Sequence, residues 1–221
     1  TCRLTCHGRE FDTCENIVVN AEAAASLIVM AQITGGQYRT SRWGGSDVSH
    51  GHNVAKNAAI RCPGSAGGTC AVTCKGSKTT DGHAPNGQTG SLCQSMIVNA
   101  SRAGPAPSVS VSCVGDGDNT CEGMVVHAVG SGAIEGTTVV DVDCAGGTGS
   151  GRCQSANVHV TPAPNPTGGG DGGGGGFVGA SRTCSLACTG TNACNNMEFS
   201  CGGDTLTCSG TNVCNNLLFP C

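Results

Sequence analysis

Apolar residues along this chain alternate with polar or small ones in short runs of two kinds. Runs of the first kind contain Cys2-Leu4-Cys6, Leu27-Val29, Cys70-Val72-Cys74, Val109-Val111-Cys113, Val140-Val142-Cys144, Cys184-Leu186-Cys188 and Leu206-Cys208. Runs of the second kind contain Ile17-Val19, Ala58-Ile60, Met96-Val98, Met124-Val126, Ala156-Val158, Met197-Phe199 and Leu217-Phe219. A period of two with β-branched enrichment predicts strands that bury one face and wet the other; a helix would scatter the same residues around its circumference. The two kinds take turns along the chain, so each copy of the pattern is a strand, a connection and a second strand.

The pattern is a degenerate repeat. Gly190-Thr191-Asn192-Ala193-Cys194-Asn195-Asn196-Met197-Glu198-Phe199-Ser200-Cys201 recurs 20 residues later as Gly210-Thr211-Asn212-Val213-Cys214-Asn215-Asn216-Leu217-Leu218-Phe219-Pro220-Cys221. A period of this length suits one coil of a solenoid. The predicted fold is all-β, a right-handed parallel β-helix of about seven short coils. At about 4.8 Å per strand the rod is about 34 Å long. Connections within a coil vary from a separation of six positions, Cys188 to Cys194, to one of nineteen, Cys74 to Cys93. Gly-rich loops that project from the coils are compatible with stacking, because they leave the coil interface untouched. Residues 1–221 are thus expected to form one domain. The Pro/Gly-rich stretch 161–182 reads as an insertion between coils, with a domain boundary there as the alternative.

Composition explains what must hold such a thin fold together. With 37 Gly and 18 Cys against 3% aromatic and 12% charged residues, an ordinary large core is hard to assemble. An even cysteine count at this density points to disulfides and an oxidising compartment, hence a secreted or cell-surface protein. No stretch approaches the roughly 18 apolar residues of a membrane span, and Thr1-Cys2 opens without a charged-then-apolar leader, so the expectation is a mature, soluble chain without membrane insertion. The net charge of -4 and the scatter of 11 basic residues argue against nucleic acid.

The cysteines fall into repeat columns. Cys6, Cys74, Cys113, Cys144, Cys188 and Cys208 end first strands, whereas Cys14, Cys93, Cys121, Cys153, Cys194 and Cys214 open second ones. Six coils have both and the second coil has neither, which favours bonds within each coil: Cys6–Cys14, Cys74–Cys93, Cys113–Cys121, Cys144–Cys153, Cys188–Cys194 and Cys208–Cys214. Pairing down a column is the competing geometry, because neighbouring strands also lie near disulfide spacing. Of the remainder, Cys62–Cys70 and Cys184–Cys201 can pair, leaving Cys2 and Cys221 at opposite ends as candidates for an inter-subunit bond. Zinc is disfavoured because Cys-x2-Cys ligand spacing is absent. Neither a metal nor any other cofactor is expected.

The unit Cys-x-Gly-x-x-x-Cys-x-x-Met/Leu-x-Phe-x-Cys, at Cys188 to Cys201 and Cys208 to Cys221, resembles the cysteine-rich parallel β-helix repeats of extracellular proteins in algae and other protists. Some of these are similar to components of surface fibres such as mastigonemes, the hairs on flagella. The resemblance implies a solenoid and a structural role in an extracellular fibre.

Candidate chemistry is sparse. Asp141 and Asp143 share an outer strand face, as paired carboxylates of a polysaccharide-cleaving β-helix would, although a solvated face is the plainer reading. The stretch Asp47-Val48-Ser49-His50-Gly51-His52-Asn53 offers metal ligands or a polygalacturonase-like Gly-His-Gly element without its companion aspartates, and reads as a polar loop. His127 and His159 occupy equivalent outward positions, where a polar ladder is the ordinary reading and a shared metal the alternative. The glycine run from Gly168 to Gly176 lacks the Lys-Ser/Thr ending of a phosphate loop and reads as a spacer. Trp43 with Tyr38 and Arg42 forms either a sugar- or partner-binding tip or a local lid.

Modification signals are clearer. Asn99-Ala100-Ser101 is a glycosylation sequon, and Pro105, Pro107, Pro162, Pro164 and Pro166 sit in segments that resemble hydroxyproline glycosylation sites of algal wall proteins. The expected function is a structural subunit of an extracellular glycosylated filament, built from copies of the chain stacked head to tail, and not an enzyme. A secreted polysaccharide-binding or polysaccharide-cleaving β-helix is the alternative. An ice-binding solenoid would need more regular Thr rows than this chain has.

Overall fold

The computed structural model describes residues 1–8, 13–33, 53–65, 67–76, 92–100, 107–115, 119–129, 138–145, 151–161, 182–201 and 204–218. Their order is β1 (Cys2–Gly8), β2 (Val18–Asn20), β3 (Ser26–Ile33), β4 (Ala59–Arg61), β5 (Thr69–Lys75), β6 (Ile97–Ala100), β7 (Ser108–Val114), β8 (Val125–Val129), β9 (Thr138–Cys144), β10 (Asn157–Thr161), β11 (Arg182–Thr191), β12 (Glu198–Ser200) and β13 (Asp204–Thr211). There is no helix among the described residues.

The strands form two all-parallel sheets. One carries β1-β3-β5-β7-β9-β11-β13 and the other β12-β10-β8-β6-β4-β2. Odd strands therefore belong to one sheet and even strands to the other, and each return of the chain to a sheet advances it by one strand. The apolar runs of the first kind lie in the seven-stranded sheet. Six of the second kind coincide with the even strands, and the last, Leu217-Phe219, contributes the bridge Leu218 to Glu198 among the described residues.

Register turns the alternation into columns. Leu4, Val29, Val72, Val111, Val142, Leu186 and Leu206 stack strand upon strand in the larger sheet. Val19, Ile60, Val98, Val126, Val158 and Phe199 do so in the smaller one. The members of both columns on the inner strands belong to a single buried cluster. Each such Val or Leu contributes about 1.5–3 kcal/mol on burial, so columns of small branched side chains substitute for a thick core.

The corners leading into the even strands share one backbone device. Cys14 and Asn16, Ala55 and Asn57, Cys93 and Ser95, Cys121 and Gly123, Cys153 and Ser155, Cys194 and Asn196, and Cys214 and Asn216 all have left-handed φ between 47° and 62°. Two such residues, two positions apart, bend the chain from one sheet toward the other. Asn tolerates this region better than most side chains, which accounts for its recurrence at the second position. The amide of the first such residue bonds to the corner before it, for example Cys93 N to Val54 O at 2.8 Å, and that of the second to the corner after it, for example Ser95 N to Glu122 O at 2.8 Å, so the ladder continues between the sheets.

Candidate functional site

Sulfur dominates the interior. Six disulfides, Cys6–Cys14, Cys74–Cys93, Cys113–Cys121, Cys144–Cys153, Cys188–Cys194 and Cys208–Cys214, join the end of an odd strand to the corner that follows, at Cα separations of 6.1–6.4 Å. Cys62–Cys70 and Cys184–Cys201 lie at the opposite corner, at 5.5 and 6.4 Å. In the column of strand-ending cysteines β3 places Ala31, and in the corner column its partner is Ala55; both are buried. The sulfurs of Cys74, Cys93 and Cys121, and of Cys113, Cys121 and Cys153, lie within 4.8 Å of one another. Zinc is held by thiolates, and each of these sulfurs is in a disulfide instead.

Cys2 is exposed and is the one cysteine outside a disulfide among the described residues. It shares a register column with Leu27, Cys70, Val109, Val140 and Cys184. Both other cysteines of that column bond to a cysteine that follows an even strand. In β13 the column is held by Asp204, and Cys221 lies outside the described residues.

No protein-family model, curated protein or solved structure matches the chain. The site therefore has to be judged on its own geometry.

The aspartate pair is not part of an assembled acid-base site among the described residues. Asp141 accepts a hydrogen bond from Ser185 Oγ, and Asp143 Oδ1 accepts one from Ala145 N at 3.0 Å. Their cross-strand neighbours are Ser110 and Ser112 on one side and Ser185 and Ala187 on the other.

The histidines are brought together. His127 and His159 face each other across β8 and β10, with ring centroids 5.9 Å apart and planes within 11°. Glu198 Oε1 of β12 lies 3.8 Å from His159 Nε2. This carboxylate comes from the next strand and is absent from any local motif; the signal for it was its place in the 20-residue repeat.

Asn99 is half-buried in β6 between Arg61 and His127. Pro107 is buried just before β7, and its carbonyl accepts from Val139 N at 3.0 Å. Pro105, Pro162, Pro164, Pro166, Tyr38, Arg42, Trp43, residues 47–52 and the run from Gly168 to Gly176 lie outside the described residues.

Sequence reasoning missed Arg152, which is fully buried. Its Nη1 donates to Gly115 O at 2.9 Å and its Nη2 to Thr189 O at 3.2 Å, so one side chain bonds backbone beside β7 and on β11.

Proposed function

We propose that the two sheets are the faces of a right-handed parallel β-helix, and that the chain is a structural subunit of an extracellular filament in which copies stack head to tail. Handedness follows from the preference of parallel crossovers, about 98% of which are right-handed. The observation that carries the filament is the pair of outermost described rungs. Leu206 is 36% exposed and Leu4 partly so, whereas Val29, Val72, Val111, Val142 and Leu186, between them in the same column, are at most 1% exposed. Ile17 and Val19 at one end, and Val213 and Leu217 at the other, are likewise only partly buried. Both ends present parallel strand edges with the same column spacing, so β1 of one copy fits beyond β13 of another as β3 fits beside β1. Such a contact is heterologous and does not close, and so produces an open fibre.

Cys2 supports the covalent form of this contact. Its column mates Cys70 and Cys184 both bond to a cysteine following an even strand, and Cys221 is the repeat equivalent of Cys201. A bond from Cys221 to Cys2 of the next copy extends the pattern. In this reading the chain is not an enzyme, its partners are copies of itself, and glycans at Asn99, Pro105, Pro162, Pro164 or Pro166 decorate it. The resemblance to mastigoneme-like fibre proteins agrees with such a role. Eight disulfides are consistent with an oxidising compartment and with secretion, and no helix among the described residues is long and apolar enough to cross a membrane.

Electron microscopy and light scattering of the native secreted protein test this. Filaments with an axial repeat of about 34 Å are expected; a monodisperse monomer at high concentration overturns the proposal.

A further inference from the structure

Parallel, in-register strands set equivalent residues about 4.8 Å apart, so a histidine repeated in adjacent rungs is held beside its twin by backbone alone. His127 and His159 are such a pair, with centroids at 5.9 Å, and behind them Val126, Val158 and Phe199 are fully buried and keep β8, β10 and β12 in place. Glu198 adds a carboxylate oxygen 3.8 Å from His159 Nε2. We propose that His127, His159 and Glu198 form a surface site for a divalent transition metal of the zinc class on the outer face of the smaller sheet.

The chemistry selects the ion. Two imidazoles with one carboxylate suit zinc, copper(II) or nickel, whereas calcium and magnesium require a shell of oxygens. Zinc–nitrogen and zinc–oxygen bonds of about 2.0–2.2 Å bring tetrahedral donors to about 3.4 Å from one another. The stacked rings are farther apart than that, so the site requires rotation about their side-chain torsions, with the strands unmoved, to turn their nitrogens toward a common point. His127 is exposed and the side chains of His159 and Glu198 are 31% and 39% exposed, so nothing in the core has to shift. Three protein ligands leave a fourth position for water.

The charged groups facing the pair are few. Glu198 lies on the far side of His159, and Arg61 stands two strands from His127 in the same column, beyond Asn99. At about 10 Å by strand spacing, Arg61 is separated by roughly one Debye length at physiological salt, so its repulsion of the ion is small.

Titration of the intact protein with zinc chloride by calorimetry at pH 7.5 tests the site. One saturable event is expected that involves this pair, and the double substitution H127A/H159A should weaken it at least tenfold, while H7A, on the other sheet, leaves it unchanged. Circular dichroism should show the same strand signal in every variant, since the replaced side chains are on outer faces. E198Q is expected to weaken binding several-fold. Loss of less than tenfold in the double variant, no saturable binding, or an unchanged affinity in E198Q overturns the three-ligand site.

Discussion

Arg152 and Gly190 show how a single residue is determined by rungs far from it in sequence. The guanidinium reaches the backbone of Thr189, and a Cβ on Gly190, whose φ is +117°, would overlap it. Glycine is needed here twice over, for its backbone and for the space it leaves. Gly67 provides the comparison: its φ is +64°, and a Cβ there meets nothing within 4 Å. Gly67→Ala is expected to cost about 1 kcal/mol, from backbone strain alone. Gly190→Ala is expected to cost about 3 kcal/mol or more, because displacing Arg152 also removes donors from part-buried carbonyls. Denaturant unfolding of the oxidised protein measures both, and equal losses would show that the space around Arg152 is not what selects glycine.

At the scale of the strand and its corner, the disulfides act as staples closing one connection each. Mapping of the oxidised protein without reduction should link Cys194 to Cys188; a link to Cys214 would mean that bonds run down the column instead. The rung holding β3 and β4 lacks this staple, and its alanines, Ala31 and Ala55, occupy the two cysteine columns at 0% and 1% exposure. Ala55 even adopts the left-handed φ of the corner cysteines, at 54°. The double substitution A31C/A55C is therefore expected to form a ninth bond spontaneously and to raise stability by about 2–4 kcal/mol. Thiol titration of the denatured, unreduced double variant checks it: two additional free thiols would mean that this corner departs from the others.

On the scale of the whole molecule, the proposed contact between copies uses the same ladder that joins rungs. A charge in the inward column of the end rungs should block stacking while leaving the inner rungs intact, because Leu4 and Leu206 are not fully buried to begin with. L4K and L206K are each expected to shift filaments to monomers by light scattering without loss of the strand signal in circular dichroism. Persistence of filaments in both would show that the contact lies elsewhere. Cys2→Ser is expected to abolish the ladder of covalent multimers on a non-reducing gel while non-covalent filaments remain, which separates the covalent link from the stacking itself.

The sequence by itself determined the strands, their buried faces and the parallel columns. A period of two leaves one way to bury Val72, Val111 and Val142, and repetition of that pattern places them in register. Cysteines present or absent together, such as Cys113 with Cys121 against Ala31 with Ala55, favoured bonds across a corner, which is how the structure joins them. Only the tertiary structure decided what depends on contacts between rungs separated by loops of unequal length. Arg152 resembled any scattered basic residue until the carbonyls of Gly115 and Thr189 surrounded it. That the Pro107 carbonyl joins the ladder at Val139 was likewise not legible from its Pro-rich segment. The left-handed corner positions carry Cys, Ala, Asn, Ser or Gly, a mixture that no local propensity singles out, and the stacked hydrogen bonds between corners hold all of them to one geometry. The approach of Glu198 to His159 likewise joins residues 39 positions apart, which are neighbours only because parallel strands repeat every rung.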